Sequence, residues 1–267
     1  MMLQFIQRQF WVWSLSLFLI LTGCLGLGVK YAEAVPLMAQ TGTVTPQTSD
    51  PQASDTAEAI FRAAYANRYT WDEEFPGYAA EVRVRDGDVI HQGKIHLLPD
   101  FAVTVENVGE DEIRQLIVAQ LQMSATHLRP VPFEQLHQHS QFEQMGVDAA
   151  GAVKIEEIGD ESSSSYKVKD QQIQQVNRTL GDFKVEVNTI DSMQTPKGYL
   201  PTRFQVIFRD AATGEVLERD DVRDAYTEVD GYYFLSKREA RTGVEERSFN
   251  KLLPDTVVEF SNIALDR

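Results

Sequence analysis

The chain has 267 residues, with 25 Lys and Arg against 40 Asp and Glu, and 43% of its residues are hydrophobic. Its length and apolar content suffice to bury one or two cores, which excludes a chain that is disordered throughout. The net charge of −15 argues against a nucleic-acid partner, because phosphate binding requires Lys and Arg, and the single cysteine excludes an internal disulfide or a thiolate metal cluster.

An export signal or membrane anchor is predicted over residues 1–34. Arg8 stands near the start, no acidic residue precedes Glu33, and the run 10–29 is almost wholly apolar, as in export signals. Near its end the chain reads Leu21-Thr22-Gly23-Cys24, which resembles the bacterial lipoprotein signal, in which the cysteine receives a diacylglyceryl group. Cys24 is therefore the predicted lipidation site.

Two other fates of this segment fit the same residues. Ala32-Glu33-Ala34 has the small residues of an ordinary signal cleavage site. The 20-residue run 10–29, left uncut, just spans a bilayer with Arg8 on the cytoplasmic side. All three alternatives predict an exported domain that faces the periplasm or the thylakoid lumen. They differ only in the anchor, for which a lipid and the N-terminal helix are the candidates.

A flexible linker is predicted over residues 35–56, which are too poor in large apolar side chains to offset the entropy of ordering. Residues 57–267 are predicted to form a single domain that opens with an amphipathic helix. Asp55 is expected to cap this helix, with Glu58 closing a capping box. One face of the helix is formed by residues at spacings of three and four: Ala57, Ile60, Phe61, Ala64, Tyr65 and Arg68.

A hairpin and a second helix follow. The pattern changes to period two from Tyr78 to Arg85, turns at Asp86-Gly87-Asp88 and continues as strands over 89–98 and 101–107. The acidic Glu110-Asp111-Glu112 then begins a helix, because negative charge complements the helix dipole there, and Arg129-Pro130 ends it.

Everything after Pro132 is predicted to be strands. A turn at Thr213-Gly214 and a hairpin loop at Ser162 to Ser165 separate them, and the clearest strands cover residues 183–188, 204–208, 232–242, 244–249 and 257–265. About ten antiparallel strands and two helices result. The predicted class is α+β, with a strongly curved, half-barrel-like antiparallel sheet wrapped around one or two helices.

No catalytic, metal or cofactor site is predicted. His137-x-His139, in an expected strand, would place two rings on one face, but no further His or Cys lies nearby as a third ligand. Adjacent carboxylates in Asp72-Glu73-Glu74 and Asp220-Asp221 would point to opposite sides of a strand. Nucleophile-elbow, phosphate-loop and dinucleotide motifs are missing from the sequence.

Aromatic residues gather around the first helix-to-strand junction and again at 226–234. Core packing is one explanation, and the lining of an apolar cavity is the other, because a curved sheet that cups a helix leaves a concave face. On the second explanation, one ligand cavity is lined by Tyr65, Trp71, Tyr78, Tyr233 and Leu235.

Several short motifs recur in a known order: Asp148 with Gly151-Ala152-Val153, Tyr166-Lys167-Val168, Val176 with Arg178, Asp191-Ser192, Gly198-Tyr199-Leu200-Pro201 and Tyr232-Tyr233. Over residues 57–265 they resemble the cyanobacterial and plastid family called domain of unknown function 3386. The resemblance implies a lineage and no catalytic residue. Many relatives lack a leader, so export is predicted from this sequence alone.

A weaker similarity is to periplasmic lipoprotein carriers. It is found in the opening helix and hairpin, in Asp230-Gly231-Tyr232 with Leu235, and in the final run 258–263. In those proteins a curved antiparallel sheet wraps helices around a cavity for acyl chains. The leader and the aromatic clusters together predict an exported, membrane-tethered, non-enzymatic protein that binds an apolar ligand or lipid on the concave face. A docking or assembly module for membrane complexes, such as photosynthetic ones, is the alternative, and a hydrolase is the third.

The leader gives a prediction for the anchor. If Cys24 is lipidated, Cys24→Ser removes the thiol that receives the lipid, and the exported domain should move from the membrane to the soluble fraction or stall unprocessed. Fractionation and intact mass measure this. An unchanged membrane fraction and mass would contradict lipidation.

Overall fold

A computed structural model describes residues 56–159, 163–244 and 254–266. The predicted leader with Cys24, the predicted linker up to Asp55, Ser162 of the predicted loop and most of the predicted strand 244–249 lie outside the described residues.

The described residues form three helices and twelve strands. The helices are α1 (Ala57–Ala66), α2 (Asp111–Leu128) and α3 (Phe133–His137). The strands are β1 (Tyr78–Asp86), β2 (Val89–Leu97), β3 (Val103–Glu106), β4 (Gln141–Val147), β5 (Val153–Ile158), β6 (Ser163–Lys169), β7 (Gln172–Leu180), β8 (Phe183–Thr195), β9 (Gly198–Asp210), β10 (Val216–Val229), β11 (Tyr232–Gly243) and β12 (Thr256–Leu265).

One antiparallel sheet contains all twelve strands, in the order β3-β2-β1-β12-β11-β10-β9-β8-β7-β6-β5-β4. Strands β4 to β12 form a continuous meander, and β12 then pairs with β1. The predicted α+β class with a curved antiparallel sheet is confirmed. The predicted number of strands, about ten, was too low because β6 and β7 consist largely of Ser, Gln and Lys and show little apolar alternation.

The first helix is confirmed, with a different cap. Thr56 is the N-cap, and its Oγ1 accepts a hydrogen bond from Ala59 N at 3.1 Å. Ala57, Phe61 and Ala64 form its buried face.

The strand predicted around His137 is wrong, because α3 occupies this place. Pro132 stands at its N-cap, and Phe133 and His137 are one helical turn apart. Both rings therefore contact Phe61 of α1, with centroids 6.0 and 5.3 Å away.

Two cores lie on the same face of the sheet, the concave one. In the first, α2 buries Ile113, Ile117 and Leu121 against β1, β2, β11 and β12. In the second, α1 and α3 cover Ile155, Tyr166 and Val168 on β5 and β6. The helices thus occupy opposite ends of the sheet. Among the described residues, no helix has the length and hydropathy of a membrane span.

The segment after α1 is joined to the start of β9. Tyr69 N donates to Tyr199 O at 2.9 Å, and Tyr199 N donates to Asn67 O at 3.0 Å. Gly198 permits this approach: its φ is +131°, and a Cβ there would lie 2.4 Å from Asn67 O. Only glycine fits, because both the dihedral angle and the neighbouring backbone exclude a side chain.

Gly198→Ala should therefore lower the melting temperature strongly. Gly214→Ala is the matched control, since Gly214 also has a positive φ of +75° but no atom within 4 Å of the added Cβ. The control measures the cost of the dihedral angle alone, and the collision at Gly198 should add about 1–3 kcal/mol to the loss of unfolding free energy. Equal losses in denaturant titrations would contradict this steric explanation.

Candidate functional site

The five side chains predicted to line one cavity divide between the two cores. Trp71, Tyr78 and Leu235 are buried in the first core, with Tyr233 at its margin. Trp71 Nε1 donates to Tyr233 O at 3.1 Å. Tyr65 packs in the second core, and its hydroxyl donates to the carbonyl of Val131 at 2.8 Å. The structure does not bring these five residues around one common space.

A third apolar group, termed the apolar floor, lies on the same concave face between the two cores. Val185, Val206 and Phe208 are buried in it, whereas Leu180, Val187 and Phe204 are only half-buried. Strand register places Val185 beside Phe208 and Val187 beside Val206, so these side chains share one face. No described helix residue belongs to this group. The floor is thus an apolar surface left between two helix-covered ends.

Four basic side chains are termed the cationic margin: Arg68, Arg178 and Arg238, whose charges all act on the fourth, His127. Arg178 lies directly opposite Val185 of the floor, and its Nη2 donates to the Tyr166 hydroxyl at 3.3 Å. Arg68 follows α1 and lies over the Tyr65 ring, 3.8 Å from its centroid. These residues come from α2, β7, β11 and the segment after α1.

His127 occupies an accessible position that is nevertheless surrounded by protein. It lies two turns after Gln120, on the side of α2 that faces the sheet. Its side chain is exposed, yet burial and then the charges of Arg68, Arg238 and Arg178 lower its pKa to about 4. At neutral pH the imidazole is uncharged, so it can donate and accept hydrogen bonds.

Arg238 joins α2 to the sheet. Its Nε donates to Asp224 Oδ1 at 2.7 Å, and its Nη1 donates to Gln120 Oε1 at 2.7 Å. The other terminal nitrogen, Nη2, lies 2.5 Å from Asp224 Oδ2. The guanidinium carbon is 5.7 Å from the centroid of the Phe204 ring, so this buried ion pair also borders the floor.

Two buried carboxyl groups border the opposite side of the floor. Glu218 is paired with Phe208, and Asp220 with Val206. Burial, and then the charge of Asp220, raises the pKa of Glu218 to about 8. Burial raises the pKa of Asp220 to about 6, although Thr242 Oγ1 donates to it at 2.6 Å. At neutral pH Glu218 is therefore mostly protonated, and this side of the floor carries less negative charge than its residues suggest.

His137 belongs to a buried hydrogen-bonded network centred on Glu157. His137 Nδ1 and Ser140 Oγ each lie 2.6 Å from Glu157 Oε1, and Tyr166 donates to Oε2 at 2.5 Å. Burial raises the pKa of Glu157, but these hydrogen bonds outweigh it and lower the pKa to about 2. Ser140 is bonded to the carboxylate and not to the imidazole, which is not the arrangement of a nucleophile with its base.

A metal site does not form around His137 either. Within the described ranges, no group of three or more His, Cys, Asp and Glu side chains comes together as possible metal ligands.

A polar depression of about 300 Å³ is lined by residues of β5 to β9, among them Arg178 and Val185. Its lining carries both signs of charge, with Glu156 and Glu186 near Lys184 and Arg209. Mixed charge on an open surface selects no particular ligand, so the concave face remains the candidate site.

Comparison with known proteins identifies the family of the chain. The model of the family described as "Protein of unknown function (DUF3386)" matches residues 52–265. None of the curated proteins matches the sequence.

Three solved structures are similar at low identity. The LolA superfamily protein NE2245 from Nitrosomonas europaea is 7% identical with a TM-score of 0.23, over 79% of this chain and 94% of that chain. MucB is 12% identical with a TM-score of 0.24, over 76% and 98%. A DUF1329 family protein from Desulfovibrio piger is 8% identical with a TM-score of 0.22, over 79% and 94%.

The raised pKa of Glu218 predicts a pH-dependent stability. The pKa of Glu218 is 4.5 in the unfolded chain and about 8 in the folded chain, so ionisation of this carboxyl group destabilises the fold. The destabilisation is absent below pH 4.5 and grows as the pH rises towards 8. Glu218→Gln mimics the protonated form and should have a higher melting temperature than the native chain at pH 8, with the difference vanishing below pH 4.5. Glu143→Gln, at an exposed position of β4, is the control. If the melting temperatures of the native chain and of Glu218→Gln changed with pH in the same way, the raised pKa of Glu218 would be wrong.

Proposed function

We propose that this chain, which belongs to the DUF3386 family, is a non-enzymatic protein that binds an apolar molecule or lipid on the concave face of its sheet. The observation that supports this proposal is the apolar floor. Leu180, Val187 and Phe204 remain half-buried there although side chains of the same type are covered at both ends of the sheet.

The physical reason is the cost of apolar surface in water, about 25 cal/mol per Å². A ligand that covers the half-buried side chains of the floor removes this cost. Ligand sites are generally apolar with a few polar groups that fix orientation, and the cationic margin supplies such groups beside the floor. Trp71 of the first core helps to hold α2 beside this site, because its backbone N–H donates to the carbonyl of Leu128 at the end of the helix.

We further propose that the domain is exported and tethered to a membrane, facing the periplasm or the thylakoid lumen. The leader supports this part through its apolar run and Cys24. A tether would keep the concave face close to a bilayer, where apolar ligands reside.

A docking module for membrane complexes is the second candidate. Edge strand β4 favours it, since Met145 and Val147 are 57% and 58% exposed there. Gly146 interrupts the register between β4 and β5, however, and such bulges hinder pairing with a further strand. The apolar floor is the stronger site.

The full chain should therefore bind an uncharged apolar fluorescent probe, and a polar atom in the floor should weaken this binding. Val187→Thr keeps the shape of the side chain and should lower the affinity about 3- to 10-fold, because a hydroxyl group then meets the apolar ligand. Fluorescence titration measures the affinity, and melting curves verify folding.

Val89→Thr is the matched control, because Val89 is 55% exposed at the hairpin end of β2, in another part of the sheet. Its affinity for the probe should equal that of the native chain. A native chain that binds no probe, or a Val187→Thr variant that binds it as tightly as the control, would overturn the proposal.

A further inference from the structure

Glu218, at the edge of the apolar floor, has a buried oxygen without a partner. Strand register places it directly opposite Phe208 of the floor, and places Asp220, two residues later on the same side of β10, opposite Val206. Side chains paired in this way have Cβ atoms about 5 Å apart. Glu218 is only 7% exposed, and in the described part of the chain its Oε1 is buried without a hydrogen-bond partner. A buried polar atom left unpaired costs free energy, which a ligand group that pairs with it recovers.

The nearest carboxyl groups differ from Glu218, because both receive hydrogen bonds. Thr242 Oγ1 donates to Asp220 Oδ1 at 2.6 Å. The backbone N–H of Thr242 donates to Asp255 Oδ2 at 3.0 Å. The unpaired oxygen of Glu218 is therefore a property of its own position beside Phe208 and not of the whole cluster of carboxyl groups.

The surroundings of Glu218 favour the protonated form of its side chain. Ionisation would place a second negative charge beside Asp220 in a dry site, and Phe208 on the other side offers no charge to offset it. Burial, and then Asp220, accordingly raise the pKa of Glu218 to about 8. The remaining charged groups that share this face of the described β9 to β11, or that act on Asp220, are Asp210, Asp224, Arg238 and Asp255. Arg238, the positive one among them, is bonded to Asp224.

A protonated carboxyl group is a hydrogen-bond donor. At neutral pH Glu218 therefore presents an O–H group beside an apolar surface. A ligand group that accepts this hydrogen bond without carrying a charge suits the site best, because a charged head would lose its hydration over the floor. An anion would in addition be repelled by Asp220.

We infer that the ligand has an uncharged acceptor, a carbonyl or hydroxyl oxygen, which accepts a hydrogen bond from the Glu218 carboxyl group while the apolar part of the ligand covers the floor. This inference rests on the proposed function, because it names the polar group of the ligand for the same site.

The same hydrogen bond makes binding depend on pH. The O–H donor is present while Glu218 is protonated, and it is lost as the pH rises through the folded pKa of about 8. Above that pH the carboxylate repels an acceptor oxygen. The affinity for such a ligand should therefore be high at pH 7 and low at pH 9.

The test compares ligands of one chain length that differ in the polar group. Uncharged 2-dodecanone, dodecane, dodecylammonium and laurate each compete with a neutral apolar fluorescent probe on the full chain, in one non-ionic detergent. The measured quantity is the preference for 2-dodecanone over dodecane. In the native chain at pH 7 it should be about tenfold larger than in Glu218→Met, which lacks the donor, a difference of about 1.4 kcal/mol. Comparing the two proteins cancels the unequal partition of the ligands into detergent.

The variants separate the donor from the charge. Glu218→Gln keeps an N–H donor and does not titrate, so it should keep the preference at both pH 7 and pH 9. The native chain should lose most of its preference at pH 9. Glu143→Gln, at an exposed position of β4, is the matched control and should follow the native chain at both pH values. Melting curves at each pH verify folding.

The outcomes distinguish this inference from the proposed function. If the native chain and Glu218→Met have the same preference, the uncharged acceptor is wrong and the apolar site stands. If dodecylammonium or laurate binds more tightly than 2-dodecanone, the site takes a charged head and the inference is overturned. If Glu218→Met does not fold, a native preference that is equal at pH 7 and pH 9 overturns it instead. If neither the probe nor any of the four ligands binds, the proposed function itself fails.

Discussion

The buried ion pair between Arg238 and Asp224 determines where the second helix lies. Both side chains are at least nine-tenths buried, and the remaining arm of the guanidinium group reaches Gln120 on α2. Burying such a pair costs several kcal/mol of desolvation, which good geometry and further hydrogen bonds must offset. The pair therefore selects one position for α2 more than it stabilises the chain. Since His127 follows on the same side of the helix, the position of α2 also places its imidazole.

The other end of α2 is held by the chain that follows α1. Trp71 N donates to the carbonyl of Leu128 at 2.8 Å, which satisfies one of the acceptors that a helix end leaves open. The same segment is joined to β9 through Tyr199, whose hydroxyl accepts a hydrogen bond from Ile173 N at 3.0 Å. The glycine-tyrosine motif at the start of β9 thus has a structural role. It holds the two helix-covered ends of the sheet at a fixed separation, and the apolar floor is the surface between them.

Local patterns in the sequence predicted most of the helices and strands. The side chains that come together from distant parts of the chain could not be predicted, because their contacts depend on the order of the strands. The helix over 57–66 and the first hairpin follow from periodicity, which needs no knowledge of partners. Helix α3 was missed because five residues are too short for a period to appear. Tyr65 was grouped with Trp71 by proximity in sequence, but each packs against a different part of the sheet, and this depends on strand order. The cationic margin had no signal at all, since its four residues are spread over 171 positions from Arg68 to Arg238.

The two faces of the sheet differ in the side chains that they present between the two cores. On the convex face, side chains of neighbouring strands bond one another: Gln175 Nε2 donates to Asn188 Oδ1 at 2.5 Å, and Asn177 Nδ2 donates to Ser165 Oγ at 3.1 Å. Such cross-strand pairs stabilise a sheet and gain little from a ligand. On the concave face, the half-buried apolar side chains of the floor, Leu180, Val187 and Phe204, lie between the two cores. A ligand that covers these side chains removes apolar surface from water, so the concave face is where binding of an apolar molecule would be most favourable.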